Sequence, residues 1–81
     1  MNILNVTAND ARGDNVLVGD VQRLETDAGY FIGRSIRCRV RSTTAPLAVY
    51  CGRSIDEAEH AILDWYARYG IDSPTGREYH P

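Results

Sequence analysis

Few side chains in this sequence are equipped for chemistry. Cys38, Cys51, His60 and His80 are the only thiols and imidazoles. Their positions match no zinc spacing, which needs three or four converging donors. A cysteine nucleophile needs a histidine base within reach, and His60 falls on the polar side of a helical pattern, away from both thiols. Asp56, His60 and Asp64 recur at i, i+4 and i+8, one edge of that helix. An acid–base relay there would stand on a convex surface with no pocket. A solvated edge is the simpler reading, with Asp64 and Arg68 as an i, i+4 ion pair. No glycine-rich phosphate loop is present. The sequence therefore predicts no catalytic residue, no metal, no cofactor and no enzyme.

Binding chemistry is better represented. All nine basic residues are arginine. Residues 1–29 carry two Arg against five acids, residues 30–54 five Arg and no acid, and residues 55–81 two Arg against six acids. Arg37, Arg39 and Arg41 alternate with Ile36, Cys38 and Val40, the period of a strand with one wet face. Tyr50 joins them in the expected register, with Arg39 placed for a cation–π contact. Arginine and tyrosine are enriched at interface hot spots, so Arg37, Arg39, Arg41 and Tyr50 form one candidate binding surface. The second is the acidic helix edge of Asp56, Glu57 and Asp64, with Glu59 near it. It would meet a basic groove as a nucleic-acid strand does.

The elements that position these residues are partly legible. Ser54 and Glu57 have capping-box spacing, the serine accepting an orphan N–H and the glutamate reaching back. Ile55, Ala58, Ile62, Trp65 and Tyr69 form an apolar stripe, flanked by Ala61 and Tyr66. Gly70 suits a left-handed stop, with Ile71 making the hydrophobic contact of a Schellman end. Upstream, a hairpin turning between Thr44 and Ala45 sets Cys38 opposite Cys51, Val40 opposite Val49 and Ser42 opposite Leu47. Arg39 then faces Tyr50 and Arg41 faces Ala48. A one-residue slip would bury the arginines. Cys38 and Cys51 read as small buried thiols.

Residues 2–8 predict a strand with Leu4, Val6 and Ala8 on one face. Residues 9–15 are turn-like and contain Arg12-Gly13-Asp14, read as a surface loop. Residues 16–25 are ambiguous: Leu17, Val21, Leu24 and Ala28 suit a helix, while Val16-Leu17-Val18 favours a strand interrupted near Gly19. Residues 26–29 predict a tight hairpin loop that pairs Leu24 with Ile32 and places Gly29 at positive φ. The architecture is an α+β fold, an antiparallel meander of three to four strands with one C-terminal helix packed on one face. A single domain over 1–72 and a mobile tail over 73–81 are expected.

At 81 residues the core is modest. No signal peptide or membrane span is evident, and a cytoplasmic protein with no membrane partner is expected. Lysine-free usage fits a GC-rich genome, such as a high-GC bacterium or its phages.

The run from Cys51 to Ala61, with Gly52-Arg53-Ser54 before the helix and Ala58-Glu59-His60-Ala61 within it, resembles the closing strand-to-helix segment of double-stranded-RNA-binding domains. That family reads phosphates with lysines at the start of the helix, where this chain has Ile55 and Asp56. The order of two strands and a helix also looks like the arm-type DNA-binding domains of integrases, which lay strand arginines in the major groove. By type alone, a small lysine-free domain with one charged face looks like phage inhibitors of host defence, anti-CRISPR proteins among them. The expected function is a non-enzymatic binding protein of that kind, blocking a host protein or nucleoprotein complex by steric or electrostatic occupation. The alternative is a small sheet-type DNA- or RNA-binding regulator. An oligomer formed through an exposed sheet edge stays open.

Overall fold

A computed structural model describes residues 2–27, 29–38 and 46–74. The elements are β1 (Asn2–Asn9), β2 (Asn15–Arg23), β3 (Phe31–Ser35), β4 (Leu47–Gly52) and α1 (Ile55–Tyr69). The strands pair antiparallel in the order β1-β2-β3-β4, a four-stranded meander with the helix on one face. This is the small α+β architecture that the sequence predicts.

Of residues 16–25, positions 16–23 lie in β2, and the reason for their ambiguity is visible. Val6 pairs with Gly19 but Thr7 pairs with Leu17, so Val18 is an extra residue on β2. Val16 and Val21 are five apart and would face opposite sides of a regular strand. The bulge resets the phase, and Val16, Val18 and Val21 all pack into or against the core. Val18 and Val21, both fully buried, keep the three-residue spacing of a helix while lying in a sheet.

The core consists of Val6, Val18 and Val21 from the sheet and Ala58, Ile62 and Tyr66 from the helix. The helix comes close because two sheet positions facing it lack side chains. A Cβ on Gly33 would sit 3.3 Å from the Ala58 and Tyr50 Cβ atoms. One on Gly19 would run into the Arg34 carbonyl oxygen and the Ile62 side chain. Ala58 thus rests over β3 and Ile62 over the β2 bulge.

The cap at Ser54 forms as expected on one side, its Oγ accepting the Glu57 N–H at 3.1 Å. The reciprocal arm does not come from Glu57. The Ser54 N–H donates instead to the Tyr50 hydroxyl at 3.0 Å, so a residue of β4 completes the cap. The helix ends without a left-handed turn. Gly70 has φ −66° and ψ 142°, its N–H donating to the Tyr66 carbonyl at 2.8 Å. Ile71 stays exposed and makes no Schellman contact with the core.

The largest correction concerns the partner of β4. It pairs with β3, setting Ile32 opposite Cys51, Gly33 opposite Tyr50 and Arg34 opposite Ala48, with Val49 as an extra residue. Residues 36–38 leave the sheet instead of forming the inner strand of a hairpin. The Ile36 N–H still reaches the Val18 carbonyl at 3.1 Å, and Cys38 then bridges to Gly70 beyond the helix. Among the described residues, Ile36, Arg37 and Cys38 of that alternating segment therefore do not pair with β4. The glycine-containing β3 takes that place, and Gly33 admits the helix where a larger side chain would not. Cys38 is buried and Cys51 exposed, both as free thiols, so the expected cross-strand pair is absent. Arg39, Val40, Arg41 and Ser42 lie outside the described residues.

The β2–β3 loop is also longer than expected. The Leu24 N–H bonds to the Tyr30 carbonyl at 3.0 Å, and Ile32 faces Gln22. Gly29 has φ +95°, as its position predicts. Ser73, expected to open a mobile tail, is buried, and its Oγ donates to the Ala67 carbonyl at 2.9 Å. Residues 75–81 lie outside the described residues.

Overpacking a close-packed seam typically costs one to three kcal/mol. Gly19→Ala meets fixed backbone and is expected to lose about 3 kcal/mol of unfolding free energy, Gly33→Ala only about 1 kcal/mol. Urea unfolding of both variants measures the order; equal losses would mean the helix does not seat on Gly19.

Candidate functional site

Of the four residues expected to make a basic sheet face, only Arg37 and Tyr50 are among the described residues, and these two do not lie together. The open face is the one that Asp20 and Arg34 share, directly opposite each other across β2 and β3. They form a two-pronged ion pair, Nε to Oδ1 at 3.0 Å and Nη2 to Oδ2 at 2.9 Å. The Asp20 hydrogen bond outweighs partial burial and holds the Arg34 guanidinium above its ordinary pKa. Around this pair lie Asn5 opposite Asp20, Thr7 opposite Leu17, and Cys51 opposite Ile32. The face is thus largely neutral, with Leu17 and Ile3 at 43% and 37% exposure.

Tyr50 is on the other face. It packs against the core beneath the helix and spends its hydroxyl on the Ser54 cap. The bulge at Val49 accounts for this, because an extra residue shifts which side chains of β4 turn inward. Arg37 is also elsewhere. Its Nη2 donates to the Asp72 carboxylate and its carbonyl accepts the Ile71 N–H at 3.1 Å, tying the segment before residue 39 to the chain beyond the helix. Arg39 and Arg41 fall outside the described residues.

A polar knot forms where these segments meet, one that sequence reasoning missed. Asp10 is buried in the β1–β2 loop, and its Oδ1 accepts the N–H groups of Arg12 and Asp14, both at 2.9 Å. Asx-type turns of this kind are built from local acceptors; the Asn9–Asn15 composition is the signal that could have located it. The next residue, Ala11, donates its N–H to the Asp72 carbonyl. Burial pushes the Asp10 carboxyl up, but the two backbone donors and the Arg12 guanidinium together bring it below its ordinary value of 3.8. Tyr66 reaches the same region from the helix. Burial raises its hydroxyl above the ordinary 10.0, with Arg37 opposing and Asp10 reinforcing the rise. Asp10, Arg37, Tyr66 and Asp72 thus come from the β1–β2 loop, the segment after β3, the last turns of α1 and the chain beyond it, and meet in one region.

The acidic helix edge is present as expected. Asp56, Glu57 and Asp64 are all exposed, as is His60. Asp64 pairs with Arg68 at 3.4 Å, the i, i+4 contact read from sequence. Asp56 and Glu57 occupy the first turn, where the macrodipole favours carboxylates. Among the described residues, neither has an ion-pair partner.

Every described arginine, by contrast, is engaged. Arg12 lies 3.6 Å from Asp10 and 3.9 Å from Asp14. Arg23 lies over Phe31 and Arg53 over Tyr30, 5.9 and 4.8 Å from the ring centroids. Arg34, Arg37 and Arg68 each hold an aspartate. No group of three His, Cys, Asp or Glu converges among the described residues, and no described helix is long and apolar enough to cross a membrane. Comparison with protein-family models, with curated proteins and with solved structures finds no match.

Two outcomes follow from this arrangement. With an aromatic disulfide reagent, Cys51 reacts at once in the native protein and Cys38 only on unfolding; simultaneous reaction would contradict the buried bridge to Gly70. The second concerns acid. Because the folded Asp10 carboxyl titrates below 3.8, its contribution is complete above that value and fades as pH falls through the folded pKa. Asp10→Asn is expected to lower the midpoint of thermal unfolding at neutral pH, with the gap to wild type closing in acid. A gap independent of pH would exclude the charge.

Proposed function

We propose that this chain is a non-enzymatic binding protein of the phage-inhibitor type, anti-CRISPR-like, that blocks a nucleic-acid-processing complex of the host. The surface assigned to the contact is the acidic helix edge of Asp56, Glu57 and Asp64, which would occupy a basic groove in place of a nucleic-acid strand. One observation carries this choice: the described arginines are already held by carboxylates or aromatic rings, whereas Asp56 and Glu57 have no ion-pair partner among the described residues.

The edge suits such a role physically. It stands on a helix capped at both its serine and its β4 tyrosine, so its carboxylates are presented on a rigid convex rod. Opposite charges across an interface raise the encounter rate and set register. The dipole that stabilises Asp56 and Glu57 locally does not remove their charge, and a basic groove would still meet it at full strength. Arg37 is engaged with Asp72 and Tyr50 lies beneath the helix, which weakens the reading as a sheet-type DNA- or RNA-binding regulator.

The test is competition for a basic nucleic-acid channel. The protein should displace labelled nucleic acid from an RNA-guided nuclease complex, more weakly as salt rises. Asp56→Asn/Glu57→Gln/Asp64→Asn should lose at least about tenfold of that potency, a loss of about 1.4 kcal/mol, while its circular dichroism spectrum stays that of wild type. Undiminished competition by the triple variant would remove the helix edge from the mechanism. Salt-sensitive binding of the protein to free duplex DNA or RNA would favour the regulator instead.

A further inference from the structure

The outer edge of β1 is the least protected feature of the molecule. Among the described residues only β2 pairs with β1, so alternate N–H and C=O groups along it face outward. Exposed edges are ordinarily blunted by lysine, proline, inward charge or a bulge. Asn2-Ile3-Leu4-Asn5-Val6-Thr7-Ala8-Asn9 contains neither charge nor proline. Its one extra residue, Ile3, lies at the very start, and the later irregularity is carried by β2 rather than β1. The opposite edge differs. β4 has six residues and a bulge at Val49 within it, which bends that edge away from regular pairing.

β1 also matches itself. Antiparallel pairing about Val6 sets Leu4 opposite Ala8 and Asn5 opposite Thr7 of the second copy. On the helix side the apolar residues meet: Leu4 and Ala8 are only half-buried in one chain, whereas Val6 between them is fully buried. On the open side Asn5 and Thr7, both exposed, supply hydrogen-bonding partners. An edge bearing net charge would repel its own copy across the two-fold axis, and this one has none. Self-pairing is isologous and closes after two chains, so it does not propagate into a filament.

We infer that β1 is a self-association edge, and that two copies of this chain join antiparallel through it into one continuous sheet with both helices on the same side. This inference is independent of the proposed helix-edge function, since it is argued from β1 residues alone and uses none of Asp56, Glu57 and Asp64.

The experiment is sedimentation velocity on the full chain across a wide concentration range, with variants at exposed positions that keep the fold. Wild type is expected to reach twice the single-chain mass. Asn5→Lys/Thr7→Lys is expected to remain single at every concentration with an unchanged circular dichroism spectrum, as is Asn5→Glu/Thr7→Glu. An equimolar mixture of the two variants should recover the doubled mass, a result that mere destabilisation would not give. Ala48→Lys places the same charge on β4 and should leave the dimer intact. A wild type that stays single at millimolar concentration overturns the inference. So does a dimer that survives the β1 lysines, or one that is lost only in Ala48→Lys.

Discussion

The helix stands on backbone rather than on side chains, and most of the architecture answers to that contact. Ile62 reaches the sheet at Gly19 because nothing projects there, and Gly19 sits beside the extra residue of a bulge. Without the bulge, Val16 and Val21 would point to opposite faces and the core would lose half of its β2 contribution. Gly33 repeats the arrangement one strand over, beneath Ala58. These small positions fix where the helix lies, and so decide which strand can be the neighbour of β4. A strand with bulky residues at the Gly33 position would hold the helix off. The segment Ile36–Cys38 is accordingly pushed past the sheet to meet the far end of the helix.

Charge follows from that routing. The chain is acidic, basic and acidic in turn, and two arginines of the middle third pair with acids of the outer two. Arg34 takes Asp20 from the first third, and Arg37 takes Asp72 from the last. Part of a segregated linear pattern thus becomes long-range ties at Arg34 and Arg37. Partly exposed ion pairs of this sort contribute modest net stability, which alternative routings of the chain would forgo. Among the described residues, Asp56 and Glu57 on the helix have no ion-pair partner, and the functional proposal rests on them.

The span of the helix was legible in the sequence because its signals are local, although the Glu57 arm of the cap and the left-handed stop at Gly70 did not form and Tyr66, read as a flank, is core. Strand β1 was legible for the same reason. What local patterns could not supply was the partner of β4. Ile36, Cys38 and Val40 alternate with arginines as convincingly as any strand, whereas Phe31–Ser35 contains Gly33 and Arg34 and advertises itself poorly. The value of Gly33 appears only when the helix is overhead, which is tertiary information. Tyr50 was misplaced with its strand, since a bulge changes facing without changing composition. The acidic edge survived because helix periodicity alone defines it. Arg37 and Tyr50 were set together by a hairpin that β3 replaces, and they part with it.

The Tyr50 hydroxyl on the Ser54 N–H ties the first turn of the helix to a strand that precedes it by only a few residues. Helix nucleation is the unfavourable step in making an isolated helix, and here part of the nucleus belongs to the sheet. The fifteen-residue helix and the β4 end of the meander are therefore poised to form together rather than in sequence. The same bond works in reverse. Fraying at the helix start releases Tyr50 from its hydroxyl partner, and loosening of β4 uncaps the helix, so neither end of the pair opens alone. A surface presented on that helix is consequently as long-lived as the sheet beneath it, and its carboxylates keep their spacing for as long as the whole domain stays folded.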